Sequence, residues 1–520
     1  MGFLDELFED KDCGGLFHSM SEDFTTVRDA RKCAHDQFIA ARTTVIGAML
    51  THDHAAIAEA EAAVTQVIER FEDTHYGGYF SAADRQWNII DKTKQLICTG
   101  ELFGCLMHLY EVSKNDAHLL TALDFLDLAL EQAWDPVRGG FFSVYYDNWK
   151  PALDIKDLAT QASMLQHLDG SWKDGMDSPY GARSMYHRKQ AEHFANLLIE
   201  HCADKQHGGF YTHCTSDWKP ATPSKDVGAL ADFALALYFH YHTLGPSIWG
   251  PRKGSHAYTG KPYPGAYTYR GPAPLCEPVH EKAYRFGKIV LEICDLLLHA
   301  AWDDQCGGFY TSLSEQLEPM DCRKKFETQM RCLLALNVGY RLTGLKRFQQ
   351  KLAEAVSVIE EKCFDPEYGG VYTCFDRAWI PLEREKECGL NLMSMGILSM
   401  VAAVAQDQPV TRNVLCIWVE PNKCFISKGR AAEVMVTVQN QGFETVRVRV
   451  GGLSSPSRWM IPGEVVFDLG PHEVYSYQLM IQPPPDMPPG RYSFEIACLP
   501  DGEITEYISA QGLVIISDKE

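Results

Sequence analysis

One hexapeptide pattern, Asp-x-x-x-Gly-Gly, occurs six times in this chain. Its second glycine stands at positions 15, 78, 140, 209, 308 and 370, so the intervals are 63, 62, 69, 99 and 62 residues. A fixed period is typical of repeat architectures, in which each unit buries its apolar face against its neighbours. The sequence therefore predicts six related units, one of which carries an extra segment.

Two further positions keep register with the glycines. Nine residues after the second glycine stand Phe24, Trp87, Trp149, Trp218, Leu317 and Trp379. Sixteen residues after it stand Arg31, Lys94, Lys156, Lys225, Lys324 and Lys386. Because a six-fold catalytic site makes no chemical sense, we interpret the repeated Asp and Lys/Arg as ion pairs or Asp-capped turns. The tryptophans either fill gaps between units or stack on a sugar, and the pattern leaves both roles open.

Each unit contains two predicted helices. The stretch after Lys94 is apolar nearly all round, which is typical of a buried inner helix. The next stretch has one apolar stripe, as an outer helix should, formed by Leu119, Leu123, Leu126 and Leu130. Six such pairs predict a mainly α fold, an (α/α)6 toroid over residues 1–409, with an open solenoid as the alternative. We expect a short N-terminal helix where the twelfth helix would end, leaving a seam between the first and sixth units.

Two insertions and a change of pattern complete the domain organisation. Residues 168–189 and 246–280 interrupt the third and fourth units, and we interpret the longer one as a lid, or else as a packing loop. Residues 414–520 alternate with period two between turns, which predicts an antiparallel β-sandwich. The segment "PPDMPPGRYSFEIA" resembles bacterial immunoglobulin-like modules appended to carbohydrate-active enzymes. Such modules brace the catalytic domain or mediate self-association, so a homo-oligomer is a possible state.

Composition excludes several classes of partner. The net charge of -21 disfavours nucleic acid and anionic membranes, because both are polyanions. Without a signal peptide or an 18-residue apolar run, we expect a cytoplasmic protein with no membrane span. The 17 cysteines form no Cys-x-x-Cys pair, so we expect reduced, mostly buried thiols, no structural zinc and no cofactor.

The segments "DPEYGGVYTCFDRAWIPLEREK" and "HYGGYFSAADRQWNIIDKTKQLICTGELFGCLMHLYEV" resemble the N-acylglucosamine 2-epimerase superfamily. The resemblance implies an (α/α)6 barrel with a sugar pocket in one mouth, where two histidines move a proton next to a carbonyl. At the matching positions Glu101 replaces an arginine, and Ala229 replaces the first histidine in "GALAD", 228–232. The second histidine has no counterpart in "EKECGLNLMSMG".

The copies differ at one position of the inner helices. Seven residues after the repeated Lys/Arg stand Phe38, Glu101, Ser163, Asp232, Arg331 and Met393. Charges are rarely buried unless they are paired or functional. Glu101 and Asp232 are therefore the candidate general acid and base, and Arg331 the candidate ligand for a carboxylate or a polarised oxygen. A purely structural ion network is the alternative.

Six further residues are candidate substrate ligands: Trp87, Trp149, Arg183, His187, His256 and Tyr258. The leading hypothesis is an isomerase/epimerase-like or hydrolase-like enzyme that acts on a small sugar through inner-helix carboxylates. A non-catalytic binding or scaffold protein is the second hypothesis, because the histidine pair is missing. An enzyme with an apolar, terpenoid-like substrate is the third.

Overall fold

The computed structural model describes residues 7–51, 54–170, 180–244, 281–392, 397, 415–440, 442–452, 459–500 and 508–517. The predicted lid, with His256 and Tyr258, lies outside these residues, as do Met393 and residues 171–179 of the first insertion. The chain forms two compact bodies, which are distinct from the six repeat units. The first comprises Met1–His240, Ile289–Arg341 and Leu345–Asp407, and the second comprises Tyr241–Lys288, Leu342–Gly344 and Gln408–Glu520.

The barrel is an (α/α)6 toroid of alternating inner and outer helices. The helices are α1 (Ala34–Thr51), α2 (His54–Phe71), α3 (Leu96–Ser113), α4 (Asp116–Leu128), α5 (Leu158–Gly170), α6 (Gly181–Cys202), α7 (Val227–Leu244), α8 (Glu281–Leu296), α9 (Phe326–Thr343) and α10 (Lys346–Lys362). The odd-numbered helices are the inner ones, and residues 388–392 begin the sixth inner helix. Helices α4 and α8 each continue into a π turn, Ala129–Ala133 and Leu297–Ala301.

Short strands connect the helix pairs. They are β1 (Ser19–Met20), β2 (Val27–Asp29), β3 (Lys32–Cys33), β4 (Ala82–Ala83), β5 (Ile89–Asp91), β6 (Lys156–Asp157), β7 (His213–Cys214), β8 (Lys225–Asp226), β9 (Ser312–Leu313), β10 (Pro319–Asp321), β11 (Lys324–Lys325), β12 (Cys374–Phe375) and β13 (Lys386–Glu387). The strand before an inner helix pairs with the next unit: β3 with β4, β6 with β7, β8 with β9 and β11 with β12. A single bridge, Lys94 to Tyr145, does the same between the second and third units. The units are therefore joined by backbone hydrogen bonds as well as by helix packing.

Each Asp-x-x-x-Gly-Gly hexapeptide, here called a corner, is a turn that its aspartate caps. In the second corner the Asp73 N–H donates to Gly78 O at 2.8 Å, and Gly77 N–H donates to Asp73 O at 2.8 Å. The Asp73 side chain accepts the N–H groups of His75 and Tyr76 through Oδ1. The other carboxylate oxygen remains available for a cation, so one residue serves both structural roles predicted for it.

That cation is a buried lysine in every unit. The six Lys–Asp pairs, with Nζ to Oδ2 distances between 2.7 and 3.2 Å, are Lys32–Asp10, Lys94–Asp73, Lys156–Asp135, Lys225–Asp204, Lys324–Asp303 and Lys386–Asp365. In the first unit the predicted register was wrong by one residue, because Lys32 fills the position and Arg31 instead pairs with Asp29 on the surface. The Lys156 ammonium also donates to Gly139 O of its own corner and to Ser216 O of the next unit.

The repeated tryptophan side chains pack against the glycines of the preceding corners. Trp87, Trp149, Trp218 and Trp379 all have positive φ, between 62° and 69°. Each indole N–H donates to a carbonyl of the preceding corner, for example Trp149 to Tyr76 O at 2.9 Å. The indole ring also packs on the second glycine of that corner. At Gly78, for example, an added Cβ would lie 2.6 Å from the Trp149 ring. The second glycine is therefore required for space as well as for its φ.

The ring closes between the first and sixth units by the same means. Strand β1 pairs with β13, with Ser19 opposite Glu387 and Met20 opposite Lys386. Residues 7–8 are helical and lead into the first corner, where Phe8 is fully buried in a cluster with Cys388 and Leu392. The N-terminal segment thus stands where the twelfth helix would end, and strand pairing bridges the expected seam.

The second compact body contains a β-sandwich. Its strands are β14 (Leu415–Glu420), β15 (Lys423–Ser427), β16 (Ala432–Asn440), β17 (Val446–Gly452), β18 (Met460–Ile461), β19 (Glu464–Leu469), β20 (Val474–Ile481), β21 (Gly490–Pro500) and β22 (Ile508–Ser517). One sheet has the order β14-β16-β20-β18 and the other β15-β22-β21-β17-β19. The prediction of purely antiparallel pairing was wrong for one pair, because β15 runs parallel to β22.

The cysteines follow the prediction with one exception. Fifteen of the described cysteines are free thiols, and most are buried. Cys416 on β14 is instead disulfide-bonded, which the expectation of a fully reduced chain did not include. Among the described helices, none combines the length and the apolar character that a membrane span requires.

The corner geometry predicts unequal costs for two adjacent substitutions. Gly14 and Gly15 have φ values of +74° and +69°, but a Cβ at Gly14 meets nothing within 4 Å and one at Gly15 lies 2.5 Å from Trp87. Gly14→Ala should cost about 1–2 kcal/mol for the left-handed backbone, and Gly15→Ala about 1–3 kcal/mol more for overpacking. Urea unfolding of both variants measures the difference. Equal losses would contradict the assignment of Gly15 to the tryptophan contact.

Candidate active site

The inner helices place polar side chains within two turns of their N-termini, near the corners. Glu101, Asp232 and Arg331 stand seven residues after the corner lysines of α3, α7 and α9. Phe38 was wrongly assigned to the same position of the first inner helix, because the corner lysine of the first unit is Lys32 and not residue 31. Its ring packs instead on Phe71, with the ring centroids 6.1 Å apart.

Asp232 and Arg331 form a direct ion pair. The Arg331 Nη1 and the Asp232 Oδ2 lie 2.8 Å apart, and both side chains are about one-fifth exposed. Arg331 also donates to Glu327, one turn earlier on α9. Burial raises the pKa of Asp232 to about 7, since the opposing charge of Arg331 is weakened by the nearby Glu327 and Asp226 carboxylates. Asp232 therefore exchanges its proton near neutral pH.

Glu101 has a different partner, and its pKa is shifted in the opposite direction. Its Oε2 accepts a hydrogen bond from Nη1 of Arg42 on α1. Burial raises the pKa of Glu101, but the charges of Arg42 and His35 outweigh burial and leave the pKa lowered. Arg42 has no place in the repeat pattern, and its charge in the middle of an inner helix is the one signal that could have indicated it. The Arg42 Nε is buried without a hydrogen-bond partner among the described residues.

A neutral histidine stands beside Glu101. A Cβ on Gly100 would lie 2.4 Å from the His167 ring and 2.6 Å from Ser163 Oγ, so α3 and α5 approach closely here. Burial lowers the pKa of His167 to about 4. Its Nδ1 is buried and has no partner within the described part of the chain. His167 is thus an uncharged imidazole, and the sequence interpretation did not single it out.

Arg42, Glu101, Asp232, Glu327 and Arg331 together are called the inner-helix charge cluster. Cys98 on α3 lies in the same interior, where burial raises its pKa to about 12, with smaller contributions from Asp36, Cys33, Glu101 and Glu327. A thiol with so high a pKa is not a nucleophile at neutral pH. The cluster therefore contains two arginines and three carboxyl groups: Glu101 with a lowered pKa, Asp232 with a pKa raised to about 7, and Glu327 bound to Arg331. Glu101 and Asp232 form an acid–base set.

Four other candidates occupy structural positions. Trp87 and Trp149 pack on the second glycines of the preceding corners, and their N–H groups are bonded to backbone carbonyls. Arg183 and His187, on outer helix α6, both bind Asp127 of outer helix α4, at 2.6 and 2.7 Å. The structure does not bring these side chains to the inner-helix charge cluster.

Two groups of side chains have a composition that suits a metal ion. They are His18, Cys33 and Asp36 in the first unit, and Asp204, His207 and Glu315 at the fourth corner. In the second group Asp204 already accepts Lys225 Nζ at 2.7 Å and two backbone N–H groups, so its oxygens serve the corner. In the first group Asp36 and Cys33 raise the pKa of His18 to about 11 through hydrogen bonds.

The charges around Asp232 predict pKa shifts of opposite sign in two variants. Arg331 lowers the Asp232 pKa and Glu327 raises it. Arg331→Met should therefore move the titration of Asp232 above about 7, and Glu327→Gln should move it below. Carboxyl ¹³C NMR of Asp-labelled protein measures this, with Asp232→Asn to assign the signal. Shifts in the same direction would contradict the described ion pairs.

Comparisons with known proteins bear on the fold. No protein-family model matches the chain. Cellobiose 2-epimerase from Bacillus thermoamylovorans B4167 is similar in structure, with a TM-score of 0.60, 14% identity and coverage of 77% of this chain and 95% of the epimerase. A D-mannose isomerase has a TM-score of 0.59 and 14% identity over 76% of this chain and 94% of its own. A sugar epimerase from a ruminal bacterium has a TM-score of 0.61 and 12% identity, covering 77% and 95%. The barrel thus has the same (α/α)6 fold as these three proteins.

Proposed function

We propose that this protein is an enzyme that isomerises or epimerises a small sugar, with the carboxyl groups of the inner-helix charge cluster as its proton carriers. The observation that carries the proposal is the split between Asp232, whose pKa is raised to about 7, and Glu101, whose pKa is lowered. Titratable groups with pKa values driven apart are typical of acid–base catalysis. The similar barrels named above, an epimerase of cellobiose and an isomerase of mannose among them, support a sugar as the substrate.

The proposed reaction moves two protons. Glu101, as the ionised base, takes the proton from the carbon next to a sugar carbonyl, while protonated Asp232 gives its proton to the carbonyl oxygen, which leaves a neutral enediol. For isomerisation, Glu101 returns its proton to the former carbonyl carbon, and Asp232 recovers one from the neighbouring hydroxyl. Arg331 stabilises the developing oxyanion. No atom is lost, and both carboxyl groups regain their initial state.

The ion pairs favour a neutral sugar. Each arginine of the cluster already binds a carboxylate, Arg42 with Glu101 and Arg331 with Asp232 and Glu327. A phosphate or uronate group would have to compete with these carboxylates and would face their repulsion. Hence an uncharged mono- or disaccharide is the expected substrate.

Glycoside hydrolysis is the second candidate function, because a raised-pKa acid and an ionised carboxylate are also the two groups that hydrolases use. The binding or scaffold hypothesis stays open as a third outcome. A terpenoid-like substrate has less support, since the polar and charged cluster is poorly suited to an apolar ligand.

The experiment is turnover of neutral aldoses, ketoses and β-linked disaccharides in D₂O, followed by ¹H NMR. Isomerisation or epimerisation changes the sugar resonances and incorporates deuterium next to the carbonyl to the extent that the proton on Glu101 exchanges with solvent, whereas hydrolysis releases reducing ends without deuterium. Glu101→Gln and Asp232→Asn should each lower kcat by about 10²–10⁴-fold, the usual range for a lost acid or base. Asp124→Asn, on outer helix α4, is the matched control and should retain activity. Sugar binding without turnover would support the scaffold hypothesis instead.

The pKa of Asp232 also predicts the pH profile of the wild type. A general acid with a pKa of about 7 is protonated below that pH, so kcat/KM should fall tenfold per pH unit above about 7. The residual kcat/KM of Asp232→Asn should not show this decrease above pH 7. A rise of kcat/KM through pH 7 would contradict the acid role and assign Asp232 as the base.

A further inference from the structure

Three side chains of different chemistry converge in the first unit. The imidazole of His18, the thiol of Cys33 and the carboxylate of Asp36 have ligand atoms that all lie within 4.8 Å of one another. His18 Nδ1 and Asp36 Oδ2 are 2.7 Å apart. Cys33 is next in sequence to the corner lysine Lys32. This group is called the first-unit triad.

The repeat shows that His18 is not needed for the fold. Three residues after the second glycine, the other five units carry Ser81, Ser143, Thr212, Thr311 and Thr373. In the second to fifth units the hydroxyl donates to a backbone carbonyl across the hairpin, as when Ser81 Oγ donates to Thr93 O at 2.8 Å or Thr311 Oγ1 to Arg323 O at 2.8 Å. The first unit replaces this hydroxyl with an imidazole that points to Asp36 instead.

The other two members also depart from their counterparts. At the position of Cys33 the other units have Gln95, Asp157, Asp226, Lys325 and Glu387. At the position of Asp36 they have Cys98, Thr160, Ala229, Thr328 and Leu390. No other unit therefore combines imidazole, thiol and carboxylate at these three positions of the repeat.

The backbone around the triad is held firmly. The His18 N–H donates to Asp29 O at 3.1 Å, and its carbonyl accepts from Cys388 N at 2.9 Å across the ring closure. Cys33 lies on β3, paired with Ala82 of β4. Asp36 lies in the first turn of α1 and is 4% exposed. The backbone that carries the three side chains is thus held by hydrogen bonds, so only side-chain adjustment is needed for the donor atoms to surround an ion.

We propose that the first-unit triad binds a zinc ion through His18 Nδ1, Cys33 Sγ and one carboxylate oxygen of Asp36, and that the His18 imidazole and the Cys33 thiol each release one proton to solvent as the ion binds. Imidazole nitrogen, thiolate sulfur and carboxylate oxygen are the ligands that zinc takes in proteins, at bonds of about 2.0–2.3 Å. Three protein ligands leave a fourth position for water or for an oxygen of a substrate. This site departs from the expectation of a metal-free protein and is independent of the proposed sugar chemistry.

The test uses the full chain after treatment with a chelator. Cobalt(II) is titrated in, because its thiolate bond gives a near-ultraviolet charge-transfer band, and zinc is then added to displace it. The wild type should bind one cobalt ion with this band and lose the band on addition of zinc. Loss of a residue that only supports a metal ligand lowers affinity about 10–100-fold, so loss of a ligand should cost at least about 100-fold.

The repeat itself provides variants compatible with the fold. His18→Ser and Cys33→Gln install residues that other units carry at the same positions, and circular dichroism should show an unchanged barrel. Cys322→Ser, at a half-buried thiol of the fifth unit, and His207→Asn, in the second candidate group, are the controls and should bind as the wild type does. The proposal is overturned if the wild type gives no thiolate band, or if the band survives Cys33→Gln. Loss of binding only in His207→Asn would place the metal at the fourth corner instead and would also overturn it.

Discussion

The buried lysine–aspartate pair at each corner is the interaction on which the barrel depends. A lysine such as Lys156 is fully buried, and its ammonium reaches the corner aspartate, a corner carbonyl and a carbonyl of the next unit. Burying a charge is costly unless every hydrogen bond is satisfied, and here one ammonium satisfies groups from two units. Removing either partner would leave an unpaired charge in the interior, so each pair favours one specific arrangement of adjacent units.

The residues that hold the barrel together are different from those that are candidates for catalysis. Aspartate, glycine and lysine are used alike in all six units, and tryptophan in four of them, so these residues carry no information about a substrate. Positions that the corners do not need are free to differ, and there the chain places Asp232, Arg331 and Glu101 on three inner helices. Their environments set the Asp232 and Glu101 pKa values apart, because Glu101 has one well-matched arginine, whereas Asp232 shares its arginine with Glu327.

Sequence reasoning found the repeat, the helix pairs and the carboxylates, but it erred where one residue of register matters. The first unit has one extra residue before its lysine, so counting from the glycine selected Arg31 instead of Lys32 and Phe38 instead of Ile39. Arg42 was missed because it belongs to no repeated row, and only packing brings it to Glu101. The tryptophans were left undecided, since an indole is equally suited to a sugar face and to a glycine.

The sequence by itself determined the six units, their paired helices and the change to a β-sandwich, because these follow from local periodicity and from spacing that every copy repeats. It left a closed ring and an open solenoid as alternatives, and the pairing of β1 with β13 decided for the ring. Only the tertiary structure decided which charges meet. Arg331 pairs with Asp232 across two helices, and Arg42 with Glu101 across two others. Such contacts join residues dozens of positions apart, and their energies depend on burial and distance. A linear pattern contains neither quantity, so it can locate the carboxylates but cannot assign which one carries a proton at neutral pH.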